Sequence, residues 1–183
     1  MGRGIMIIPR LSTLACLLGV SMTLSPMLVL SDEPQQRRFY FGGDLGVAYM
    51  DIERGDTNYS DTWLFGALRA EYALHPRLLL GAEGAGWTDQ VTASSSISED
   101  VISLMVTARA YPMQNSDVFV KAGWGHARHR YWESSTQSDA SGPAYLVALG
   151  YGVHRASFSI SYSSGNLDQE TYKAVTVSAG FTF

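Results

Sequence analysis

Six charged residues stand at alternate positions among small or apolar neighbours: Asp44, Arg69, Glu71, Glu83, Arg109 and Lys121. On strands, such spacing turns them all to one face. Three acids and three bases gathered there could satisfy one another as a static plug, or rearrange to gate an ion path. A second concentration runs from His126 to Trp132, His-Ala-Arg-His-Arg-Tyr-Trp. Its histidines are three apart, so on a strand they face opposite sides and cannot chelate one metal ion. Arg128 and Arg130 beside Trp132 instead make a basic, aromatic rim suited to phosphate groups. Acidic residues gather at Asp51, Glu53, Asp56 and Asp61, and again at Asp89, Glu99 and Asp100, without the spacing of a Ca²⁺ loop. No metal ion and no cofactor is expected.

The elements that must position these groups alternate with period two. Phe39, Phe41, Leu45, Val47 and Tyr49 oppose Gly42, Asp44, Gly46 and Ala48. Leu64, Leu68, Ala70, Tyr72 and Leu74 oppose Arg69 and Glu71; Leu78, Leu80 and Ala82 oppose Gly81 and Glu83. Ile102, Leu104 and Val106 oppose Ser103, Thr107 and Arg109, and Val118, Val120 and Trp124 oppose Lys121, Gly123 and Gly125. Tyr145, Val147, Leu149 and Tyr151 oppose Ala148, Gly150 and Gly152. Phe158, Ile160 and Tyr162 oppose a serine at every odd position from 157 to 163, and Val175, Val177, Ala179, Phe181 and Phe183 oppose Thr176, Ser178 and Gly180. That makes eight strands. Tight links follow the even-numbered ones, and longer polar loops, 51–61, 89–100, 128–143 and 164–171, follow the odd-numbered ones.

Composition narrows the setting. The chain has 183 residues, 16% of them charged, with only two lysines, Lys121 and Lys173, and a net charge of −4. An electrostatic nucleic-acid binder is excluded. Residues 1–31 carry Arg3 and Arg10, an apolar run from Leu11 to Val20, and Val29-Leu30-Ser31 at a cleavage position, the pattern of a secretory signal peptide. Cleavage after Ser31 leaves 152 residues, removes Cys16, the sole cysteine, and sets 11 basic against 17 acidic side chains, a charge of −6. Residues 32–38 are then a lead into a barrel spanning 39–183.

Short turns at one end, longer loops at the other and strands of bilayer length indicate an all-β, eight-stranded antiparallel up-and-down transmembrane barrel. In a soluble barrel the Leu- and Phe-rich face would point inward; here the small face suits a narrow lumen. Aromatic girdles are expected at two levels, one with Phe39, Tyr72, Tyr151, Phe158, Phe181 and Phe183, the other with Tyr49, Trp63, Trp87, Trp132, Tyr145 and Tyr162.

Over residues 37–183 the sequence resembles the small eight-stranded outer-membrane proteins of the OmpA/OmpX-like superfamily. The resemblance rests on Phe39-Tyr40-Phe41-Gly42-Gly43, Ala108-Arg109-Ala110-Tyr111-Pro112, Val118–Gly125 and the ending Ala179-Gly180-Phe181-Thr182-Phe183. It implies a monomer in the outer membrane of a Gram-negative bacterium, both termini periplasmic, in contact with outer-membrane lipid and lipopolysaccharide. Phe181 and Phe183 look like the signal read by the outer-membrane assembly machinery. With no peptidoglycan-binding domain after Phe183, the anchoring role of longer OmpA proteins is not expected. A structural or surface-interaction role follows: envelope integrity, adhesion or host-factor resistance. The alternatives are a small pore and a lipid A-modifying hydrolase. Ser161-Tyr162-Ser163-Ser164 and Glu170 are similar to the motif of the lipid A deacylases, which would make Ser163 the nucleophile and Glu170 the orienting acid. The family's histidine position holds Ser161, however, and none of His75, His126, His129 and His154 is placed to replace that base. No enzyme activity is expected.

Overall fold

Alternation of this kind gives each strand one face for an apolar surrounding and one for a packed interior, and closing the sheet removes its edges. The computed structural model describes residues 39–89, 97–113, 116–133, 136–153 and 155–183. Eight strands close in chain order into one antiparallel barrel: β1 (Phe39–Arg54), β2 (Thr57–His75), β3 (Leu78–Thr88), β4 (Ile97–Ala110), β5 (Val118–Glu133), β6 (Thr136–Val153), β7 (Ala156–Leu167) and β8 (Glu170–Thr182). β8 returns to β1 from Gly42↔Thr182 to Arg54↔Glu170. Phe39 and Phe183 lie at the same end, the terminal end; the opposite, distal end carries the β1–β2, β3–β4, β5–β6 and β7–β8 connections. The signal-peptide reading of 1–31, Cys16, the lead 32–38 and His154 fall outside the described residues.

The outward face is apolar to a degree that water would not tolerate. Leu104 is 66% exposed, Val106 69% and Trp124 68%, and Phe41, Leu45, Val47, Leu149, Ile160 and Val177 continue the belt around the cylinder. On β1 it runs from Phe39 to Tyr49, which for a tilted strand covers about 25 Å of height. Phe39 against Tyr72 and Phe181 against Phe183 mark its terminal edge, while Tyr145 against Tyr162 marks the distal one. Trp63 and Trp87 do not belong to that distal girdle. Both are buried inside the barrel, as their parity with Arg69 and Glu83 requires.

The strands are also longer than the hydropathy pattern indicates. Residues 51–54 and 57–61 are paired strand, with Arg54 opposite Thr57, and 128–133 pair with 136–141. Leu167 lies opposite Glu170, so little of 164–171 is loop. Beyond the belt the outward face turns polar, as at Asp51 and Glu53, while Met50 and Ile52 keep the inward face apolar, so the alternation reverses its sense while the backbone ladder continues. The turns of the β1–β2 and β7–β8 hairpins are short, and their Gly55 and Asp168 take the positive φ, +58° and +46°, that tight reversals demand.

Inside, small residues mark where large side chains cross. A Cβ on Gly42 would lie 2.8 Å from Arg69 Nη2, and one on Gly180 would lie 2.8 Å from Asp44 Cγ. Gly150 likewise makes room for the ring of Phe119, which its Cβ would meet at 2.6 Å.

Candidate functional site

The lumen is stratified. Nearest the terminal end, Arg69 of β2 pairs with Asp44 of β1 and reaches β8, donating to Thr182 Oγ1 (2.8 Å) and the Phe181 carbonyl (3.3 Å). Glu71 lies between two guanidinium groups, 3.4 Å from Arg69 Nε and 3.1 Å from Arg109 Nε. Arg109 also stacks over Phe119, 4.5 Å from the ring centroid. Lys121 donates to Glu83 at 2.6 Å. The six inward charges thus form a four-membered chain and a separate pair, all buried. Above them a cavity of about 10 Å³, lined among others by Asp44, Glu83, Lys121, Ser103, Ser161 and Trp87, has room for one water at most.

The next layer is apolar. Met50, Trp63, Phe65, Trp87, Met105, Leu146 and Tyr172 fill the bore, with Phe65 and Trp87 5.4 Å apart and Trp87 and Tyr172 6.1 Å apart, centroid to centroid. Trp87 Nε1 donates to Thr176 Oγ1 at 3.3 Å. Sequence reading by composition expects mostly Gly, Ala and Ser on this face. Parity was the better guide, because it groups the two tryptophans with the interior charges.

At the distal mouth, above the belt, four strands converge on an imidazole. His129 of β5 is 2% exposed, with Nδ1 2.6 Å from Glu170 Oε2 of β8 and Nε2 3.7 Å from Glu99 Oε2 of β4. Arg54 of β1 donates from Nε to Glu170 Oε1 at 2.5 Å and lies 4.7 Å from the ring centroid of Tyr131. Burial disfavours the charged imidazole, but the Glu170 carboxylate hydrogen-bonded at Nδ1 and the Glu99 carboxylate facing Nε2 outweigh it and hold its pKa above the ordinary value. Burial likewise works against the Glu170 carboxylate, yet His129 and Arg54 keep its pKa low. Beside them Asp89 is pushed up to about 6, first by burial and then by Glu99, Asp61 and Asp100. A cleft of about 120 Å³ between Ile52, Arg54, Thr57, Tyr59 and Glu99 opens here, smaller than a small-molecule site requires.

This cluster is what sequence reasoning missed. His129 shares the odd positions of β5 with Lys121, and that parity is the signal that places it inside. Among the described residues no group of three His, Cys, Asp or Glu side chains could hold a metal ion; the two carboxylates address opposite edges of one ring. Nor do Ser163 and Glu170 come together as nucleophile and acid. Ser163 is opposite Ala174, four residues along β8 from Glu170, or about 13 Å of strand. Its hydroxyl is buried without a hydrogen-bond partner, while Glu170 is taken up by His129 and Arg54.

Outside the barrel, β5 presents Trp124, His126, Arg128, Arg130 and Trp132 in sequence along one face. Arg128 is half-exposed and donates to Asp139 at 2.7 Å. Arg130 is 3.6 Å from Asp100 and 5.1 Å from the Trp132 ring centroid.

No protein-family model matches the chain, and no curated protein does. Solved structures do match. The attachment invasion locus protein Ail of Yersinia pestis aligns with a TM-score of 0.63 at 16% identity, over 80% of this chain and 99% of Ail. Ail in complex with the heparin analogue sucrose octasulfate gives 0.58 at 15% identity, over 80% and 99%. Neisserial surface protein A gives 0.56 at 14% identity, over 79% of this chain and 97% of that protein. The fold is that of the small eight-stranded outer-membrane barrels.

Proposed function

We propose that the chain is exported by its first 31 residues and sits as a closed monomeric barrel in the outer membrane of a Gram-negative bacterium, with both termini periplasmic. Its role is structural and surface-interacting, and its distal rim engages lipopolysaccharide. The observation that carries this reading is the filled lumen: among the described residues a charge network and an aromatic layer leave no continuous bore, so the working surface is the exterior. Eight strands leave room for side chains alone. Around that exterior the apolar belt matches hydrocarbon, and Arg128, Arg130 and Trp132 rise from its distal edge where lipid A phosphates would lie. Asp139 orients the Arg128 guanidinium without enclosing it, since Arg128 stays 55% exposed; Arg130, beside Asp100, is 25% exposed. Ail, a barrel of the same fold, has been crystallised with a heparin analogue, which makes polyanions a sensible ligand class to test. Phe181 and Phe183, outward at the terminal edge, would serve as the assembly signal.

Asymmetric bilayers with lipopolysaccharide in one leaflet test both halves of the proposal. The expected result is no steady single-channel conductance, together with a higher unfolding temperature in lipopolysaccharide than in phospholipid, by binding linkage. That increment should be lost in Arg128→Ala/Arg130→Ala. Steady conductance, or an increment that survives the double substitution, would overturn it.

A further inference from the structure

His129 occupies an unusual position for an ionisable group: sealed from water, with a carboxylate at each ring nitrogen, contributed by strands on different sides of the bore. Only the doubly protonated ring can donate from both nitrogens; the neutral ring donates from one and turns a lone pair toward a carboxylate at the other. The geometry points to a proton-operated latch at the distal mouth, in which protonated His129 ties β5 to Glu170 of β8 and Glu99 of β4, and loss of the proton releases the β7–β8 hairpin.

The charges around the ring give the latch its direction. β8 contributes Glu170, β4 Glu99, β3 Asp89, β2 Asp61 beside Tyr59, and β1 Arg54; β5 itself adds Tyr131 under Arg54, while β6 and β7 pack Ala140 and Leu167 there. With the proton in place, four carboxylates face one guanidinium and one imidazolium. Without it they face the guanidinium alone, and Glu99 and Glu170 lie at the two edges of an uncharged ring in a site too buried for water to compensate. The hairpin that carries Glu170 is paired to β1 as far as Arg54↔Glu170, but its pairing with β6 ends at Ala144↔Gly165. Past that point it turns at Asp168, which sits at positive φ and accepts a hydrogen bond from the Ser141 amide at Oδ2, 3.1 Å. The raised pKa of His129 and the value of about 6 at Asp89 act in the same sense. Each group's proton is held more tightly in the closed mouth than in an open one, so closure is favoured in acid and weakens as pH rises through these values. The low pKa of Glu170 sets the other limit, since its ion pairs fail only in stronger acid.

Spin labels on the β1–β2 and β7–β8 turns read the hairpin directly. In the full chain with Cys16→Ser, Asp56→Cys and Gln169→Cys, pulsed dipolar spectroscopy should give one sharp distance at about pH 5 and lose it as the pH is raised to about 9 and the imidazole gives up its proton. His129→Gln should abolish the response above about pH 7, beyond the range in which Asp89 titrates. Glu99→Gln should keep the distance sharp above about pH 7, because its amide can donate to the neutral ring. A sharp wild-type distance at both pH values overturns the latch, as does a transition above about pH 7 that survives His129→Gln. Should His129→Gln fail to fold, Glu99→Gln decides: opening like the wild type would refute the mechanism.

Discussion

The two ends of the lumen solve the same problem, burying charge inside a narrow barrel, with different chemistry. At the terminal end the cations are mainly guanidinium groups, which stay charged at any pH a cell meets, and each is shared between strands: Arg69 alone touches Asp44, Glu71 and the last residues of β8. At the distal end the central cation is an imidazole, whose charge is conditional. One end is therefore a fixed closure of the seam between β8 and β1, and the other a closure that depends on its surroundings. Between them the aromatic layer insulates one from the other. The lesson is that a filled barrel need not be uniformly static; the choice of cation decides which end can respond.

That contrast can be tested by removing one group at a time. Arg69→Ala should have the largest effect, destabilising the refolded barrel by about 3–5 kcal/mol in urea titration, because it strands buried Asp44 and leaves Glu71 with Arg109 alone. The loss should be insensitive to pH near neutrality; a loss that disappears in mild alkali would mean the terminal network is as conditional as the distal one. Met50→Ala, in the apolar layer and fully buried, should cost about 2–4 kcal/mol by opening a cavity. A much smaller value would indicate that the layer collapses and cannot insulate the two ends. Arg128→Ala should change stability in phospholipid by no more than about 1 kcal/mol, as for other exposed ion pairs. A larger cost would assign the rim to the fold instead of to a ligand.

Much of this architecture could be read from the chain. The alternation of Leu104 and Val106 with Ser103, Thr107 and Arg109 specifies strand, face and neighbour class at once, and the same parity brought Asp44, Arg69, Glu71, Glu83, Arg109 and Lys121 inside. What could not be read is who pairs with whom. Lys121 meets Glu83 and not Arg109's partner Glu71, a choice made by strand register across the barrel and not by any local pattern. The distal cluster was hidden for a related reason. Past Tyr49 and Trp124 the outward face is no longer apolar, so the lipid-facing alternation that marks these strands stops, although the backbone pairs on to Arg54 and Glu133. Arg54, Glu99, His129 and Glu170 are far apart in sequence and become a site only once that pairing is known.

The short distal reversals have a consequence for recognition by antibodies. Residues 51–61 form a hydrogen-bonded ladder closed by Gly55-Asp56, so their side chains are displayed in an order set by pairing across strands, with Asp51 beside Ser60 and Glu53 beside Asn58. An immunoglobulin raised against the linear peptide would see neighbours that do not adjoin in the folded barrel. The epitope of this rim is conformational, and an immunogen meant to elicit binding to the folded protein must present the closed cylinder.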